Sequence, residues 1–219
     1  MNAAYQFVTG PLAWAAWGIF LLGSAWRLYS MYQLAKKKDA SSIAFMDLGY
    51  SLRSIINWLI PFNALGWRKS PAMTIATFAF HICLIVTPIF LVAHVLLWDQ
   101  AFGVSYATIP DGAADGMTLV VIAACLYFAG RRLVQPEVRF ITTGQDWLAL
   151  VIVLAPFLTG FLAYHQALDY DVMIILHVVA GEIMLAAIPF TRLSHMVFAA
   201  FTRAYMGSEF GGVRHARDW

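Results

Sequence analysis

Charge is scarce in this sequence. Asp, Glu, Lys and Arg make up 12% of its 219 residues, about half of what an average soluble domain carries, which excludes an ordinary water-exposed surface. The formal net charge is only +2, so the balance by itself implies neither a nucleic-acid partner nor an acidic substrate. Cysteine is rarer still. Cys83 and Cys125 both lie inside apolar runs, where they read as small buried apolar residues, and two thiols fall short of the four that an iron–sulfur cluster takes. The opening MNAAYQFVTGPLAW lacks the basic region and small-residue cleavage site of a secretory leader, so the first apolar stretch is expected to remain as an anchor. There is no evident internal repeat and no low-complexity segment.

Apolar residues dominate. They account for 61% of the chain, and the mean hydropathy is +0.71, which places the protein among integral membrane proteins. Five segments reach the roughly 20 residues that a helix needs to cross the hydrocarbon core. They run over residues 11–34, 71–98, 116–134, 146–165 and 172–200. The expected fold is therefore an all-α membrane protein, a five-transmembrane-helix bundle forming one domain over 1–219. Residues 51–67 are apolar but short, contain Pro61 and are flanked by cations. This segment reads as an interfacial helix rather than a sixth span.

Orientation follows from the connections. Lys36, Lys37, Lys38, Arg53, Arg68 and Lys69 lie between the first two spans, and Arg131, Arg132 and Arg139 between the third and fourth. The other connections carry Asp and neither Lys nor Arg. The positive-inside rule then puts the N-terminus outside and the C-terminus in the cytoplasm.

Four of the six histidines sit in two spans: His81 and His94 in the second, His177 and His195 in the fifth. Each of these helices thus offers one imidazole at each of two depths. His177 and His195 are 18 residues apart, five whole turns at 3.6 residues per turn, so both are expected on one face of the helix, about 27 Å apart along the axis. Paired histidines on facing helices are what a low-spin haem b takes as axial ligands. The second helix fits less well, because 13 residues between His81 and His94 amount to about 220° on an ideal helix. Pro88 between them can kink the helix and restore the phase. His165, at the outer end of the fourth span, is the rival ligand for the outer site. A bare metal such as zinc is disfavoured by the few thiols and carboxylates within the spans. Arg192, three residues before His195, is placed either to pair with a haem propionate or to snorkel to the interface. Gly181 and the alanines around it could admit a porphyrin or a neighbouring helix.

The run HVVAGEIMLAAIPFTRLSH from His177 to His195, with Phe80–His81 in the second span, resembles the gamma subunit of respiratory nitrate reductase, a five-helix, two-haem cytochrome b. With PEVRFITTGQDW and TGFLAYHQALDY added, the pattern looks closer to the cytochrome b subunits of transmembrane redox complexes of sulfate-reducing bacteria. The resemblance implies two haems b, the inner held by His81 and His195 and the outer by His94 and His177. The spacing in the second span is three residues longer than in nitrate reductase, so His165 remains the alternative to His94.

The resemblance further implies a multi-pass subunit of the bacterial inner membrane, associated with other membrane subunits. It would pass electrons between periplasmic multihaem cytochrome c or the menaquinone pool and a cytoplasmic iron–sulfur subunit resembling heterodisulfide reductase. Charge moved across the membrane is worth about 2.3 kcal/mol per 100 mV. Quinol chemistry would also need a proton acceptor, for which His165, Asp169, Asp171 and the deeper Glu182 are the candidates. The rival function is a proton or metal-ion transporter using an intramembrane His/Glu relay.

Overall fold

The computed structural model describes residues 3–219 and contains helices and no strand among them. We label the longer helices α1 (Ala13–Lys38), α2 (Leu48–Leu59), α3 (Pro71–Phe90), α4 (Val92–Phe102), α5 (Asp111–Val134), α6 (Gly144–Tyr164), α7 (Tyr170–Ala187) and α8 (His195–Ser208). Among the described residues, five stretches are long and apolar enough to cross a membrane: Ala3–Lys38, α3, α5, α6 and Tyr170–Phe190. The fold is thus all-α and multi-pass. Large apolar side chains along these helices face outward, with Leu22 76%, Leu126 61% and Val151 61% exposed. Such a surface is stable where the surrounding solvent is hydrocarbon.

The chain divides into two compact units, one of Ile75–Met184 with the N-terminal residues up to Thr9, the other of Gly10–Thr74 and Leu185–Trp219. In the first, α5 and α6 pack through small residues. Val121 is fully buried, and Ala124, Cys125, Val153 and Phe157 lie in the same core. The start of α6 is fixed by a capping box, in which the Asp146 carboxylate accepts from the backbone N–H of Thr143 at 2.8 Å. This satisfies donors that a helix start would otherwise leave open. Arg132, from the last turn of α5, reaches the same carboxylate at 3.9 Å.

Two interruptions depart from continuous helices. The second span stops at Phe90, Leu91 is extended (φ −66°, ψ 133°), and the chain re-enters a helix at Val92. The fifth stops at Ala187 and passes through a short 3-10 turn, Ile188–Phe190, to an extended Thr191 (φ −115°, ψ −171°). A second 3-10 turn, Arg192–Ser194, leads into α8. Pro189 cannot donate to a helical carbonyl, and the Thr191 hydroxyl accepts from Leu193 N–H while donating to the Ala187 carbonyl at 2.9 Å. His177 and His195 therefore do not share one continuous helix, and the five-turn spacing expected from the sequence does not describe them. The segment 51–67 also differs from a single interfacial helix. Helix α2 begins earlier, capped by Asp47, and ends at Leu59 before Pro61, while Leu65–Lys69 forms a separate turn.

In the second unit α2 packs on α8 at close range. A Cβ added to Gly207 would lie 2.5 Å from the Cβ of Ser54, so only glycine permits the approach. Ser51 Oγ and Ser208 Oγ meet at 3.0 Å in this contact. Arg203 of α8 pairs with the buried carboxylate of Asp218, to which Ser54 also donates. Burial pulls the Arg203 guanidinium below its ordinary pKa, and the Asp218 charge works against that pull.

Candidate functional site

The break after Phe90 leaves three successive carbonyls without helical partners, a costly state at membrane depth unless other donors reach them. Each receives one. His94 Nδ1–H donates to the Pro88 carbonyl at 2.8 Å, the Tyr106 hydroxyl donates to Ile89 at 2.9 Å, and the backbone N–H of Ile109 donates to Phe90 at 3.0 Å. The interruption thus turns the His94 ring back along the chain, away from the direction an ideal helix would give it.

His177 is seated by α6. Its Nδ1–H donates to the Pro156 carbonyl at 2.8 Å, and its ring lies where a side chain at residue 160 would be. A Cβ on Gly160 would come within 2.8 Å of two ring atoms. The His94 and His177 rings then face one another with centroids 5.9 Å apart and planes within 10° of parallel. This is too far for ring-on-ring contact. Carbonyl oxygens only accept, so the Nδ1 atoms carry the protons and the neutral rings present Nε2 as the lone-pair atom.

The other two histidines share this posture. His81 Nδ1–H donates to the Thr77 carbonyl at 2.7 Å and His195 Nδ1–H to the Arg192 carbonyl at 2.7 Å. All four rings are thereby held through Nδ1 by a backbone carbonyl. A backbone carbonyl on the second nitrogen is the usual way a metal-ligating histidine is held and made more basic. His94 and His177, brought together with their Nδ1 atoms so engaged, are the pair compatible with a haem. His81, His94 and His177 belong to the first unit, and His195 with Arg192 to the second.

His165 differs from these four. It uses Nε2, which sits 2.9 Å from Asp115 Oδ1, and its ring is half exposed between Phe161 and Tyr164. The structure brings His94, not His165, to His177. Asp169 accepts from the backbone N–H of Val172 at the start of α7, and Asp171 is exposed in its first turn. Both carboxylate oxygens of Glu182 are buried with no hydrogen-bond partner among the described residues. A Cβ on Gly181 would meet nothing within 4 Å.

Gly160, Pro156 and Tyr106 are working residues that the sequence reading passed over. A glycine four residues after a proline in a span was the available signal for the first two, since that spacing exposes a carbonyl beside a missing side chain. Arg27 was also missed. Its Nε and the Ser24 hydroxyl, one turn apart in α1, are buried without partners among the described residues. A lone arginine in an apolar span was the signal.

No protein-family model matches this chain, and no solved structure matches it. A protein of Nitratidesulfovibrio vulgaris (strain Hildenborough) is 36% identical to it over 211 residues, covering 94% of this chain and 93% of that one. The chain belongs to the family of that protein. The match takes in nearly the full length of both sequences, so it is a relationship of whole proteins rather than of one shared segment. The relative is described only as a protein, so no activity is transferred from it.

Proposed function

We propose that this protein is a di-haem b-type cytochrome subunit of a transmembrane redox complex in the bacterial cytoplasmic membrane. The observation that carries the reading is the common posture of His81, His94, His177 and His195, each tied through Nδ1 to a backbone carbonyl. His94 and His177 would hold one haem b, and His81 and His195 are the further ligand candidates. Haem b held by two imidazoles supplies a one-electron carrier. The backbone carbonyl on each Nδ1 sets the orientation of each ring. A relative from a sulfate reducer supports a respiratory setting.

In this reading the N-terminus is periplasmic. The basic segments around Lys36–Lys38, Arg68–Lys69 and Arg131–Arg139 face a cytoplasmic iron–sulfur subunit of the heterodisulfide-reductase type. Periplasmic multihaem cytochrome c or menaquinone serves the other side. The test is the oxidised and dithionite-reduced visible spectrum of the purified chain or its complex, with a pyridine haemochrome assay. Two haems b per chain are expected; a protein without haem, in material shown not to have lost cofactor, would overturn the proposal.

Glu182 favours a second reading, a transporter with a His/Glu proton relay, because its carboxylate oxygens are buried without partners among the described residues. That reading requires a colourless protein, so the same spectrum separates the two.

A further inference from the structure

The C-terminal tail folds back on α2 and leaves a cationic cavity that the haem reading does not use. The reversal is made by the π-turn Glu209–Val213 and by His215, which adopts a left-handed backbone (φ 49°). It is held by the Ala216 N–H donating to the Phe210 carbonyl at 2.9 Å and by the buried Asp218–Arg203 pair. The space, an open cleft of about 320 Å³, is lined by Tyr50, Arg53, Gly211, His215, Ala216 and Arg217.

Two guanidiniums converge there without a carboxylate. The Arg53 group lies 4.8 Å from the Tyr50 ring centre and 4.9 Å from that of Trp219, and the Arg217 group lies 5.9 Å from the Trp219 ring. The neighbouring acids are paired with other arginines, Asp218 with Arg203 through Oδ2 and Glu209 with Arg214, while Asp218 Oδ1 is buried without a hydrogen-bond partner among the described residues. Arg53 Nε is buried and has no partner among the described residues. Aromatic faces hold the guanidinium planes in position, but they do not satisfy N–H donors or neutralise two positive charges. An anion with several acceptor oxygens does both, and the planar donors of arginine match phosphate.

The position of the cavity bears on where that phosphate comes from. Leu48, Leu52, Ile56 and Leu59 form one exposed stripe along α2, the pattern of a helix lying in a membrane interface. Arg53 sits about 100° around the helix from the middle of this stripe, so its guanidinium borders the apolar face. We propose that this cavity binds a phosphate group, and that the adjoining stripe makes an anionic phospholipid its source.

The test is native mass spectrometry of the purified full-length protein, exchanged from nanodiscs of phosphatidylcholine alone or with about 30% phosphatidylglycerol. Phosphorus NMR line broadening with inorganic phosphate is run in parallel. The expected result is retention of phosphatidylglycerol about tenfold over phosphatidylcholine. The preference should be lost in the Arg53→Gln/Arg217→Gln double variant and kept in the Arg53→Lys/Arg217→Lys variant. Arg217→Gln alone, at an exposed tail position, should weaken retention and covers the case in which the double variant fails to fold. Broadening of inorganic phosphate that depends on both arginines, without lipid preference, would keep the phosphate site and overturn the lipid as its source. Equal retention of both lipids with no arginine-dependent broadening would overturn the site altogether.

Discussion

At the scale of single residues, Gly160 makes room for an imidazole. The His177 ring occupies the place of its missing side chain, at a distance no real Cβ contact reaches. We therefore expect Gly160→Ala to displace the ring from the Pro156 carbonyl, at a cost of about 1–3 kcal/mol as for other overpacked sites. In the proposed cytochrome this lowers haem content toward one per chain, read by pyridine haemochrome, and leaves the low-spin signal of the remaining haem in place. His177→Ala should do the same more completely. Loss of neither haem in that variant would remove His177 from the ligand set. The four histidines could be picked out from the sequence because ionisable groups are rare in apolar spans, so each one demands a reason. Gly160 left only the fainter signal of a glycine four residues after a proline, because no apolar pattern tells which carbonyl a ring on the next helix will seek.

At the scale of elements, the two interruptions decide where the rings point. Apolar runs of 20 residues are read easily because hydrocarbon thickness demands them. Where a run bends is set by one or two hydrogen bonds, and these leave little trace in composition. Pro88 gave warning of a break in the second span, yet the helix continues to Phe90 and yields at Leu91. In the fifth span the five-turn spacing of His177 and His195 requires a continuous helix, and Thr191 ends it. Thr191→Val keeps the shape of the side chain and removes the hydroxyl that serves both Ala187 and Leu193. It should lower stability by about 1 kcal/mol, as loss of a cap does, detectable as a shift in thermal unfolding in detergent. Tyr106→Phe removes the donor to Ile89 and should cost about 0.5–1.5 kcal/mol. If the junction also holds His94 in place, the outer haem of the proposed pair should become more easily lost on dilution into detergent.

At the scale of the whole molecule, the five spans and the all-α class were legible because the solvent imposes them. The division into two units was not, because it depends on which helices choose each other, and small residues such as Gly207 and Gly23 govern those choices at short range. Orientation belongs to this scale too. Reporter fusions placed after Lys38 and after Gly103 should report cytoplasmic and periplasmic locations respectively, as the positive charges predict; the reverse pattern would invert every docking assignment made above. The capped carbonyls at Pro88, Ile89 and Phe90 have a further consequence, for the order of assembly. His94 is held by the backbone of its own junction and His177 by the backbone of α6, so neither depends on an occupant for its direction. Their Nε2 atoms already lack protons. In the proposed cytochrome, uptake of a metal centre at this pair would then release no proton from the two rings. In that cytochrome, a polypeptide arranged in this way would finish folding first and receive haem as a separate, later event.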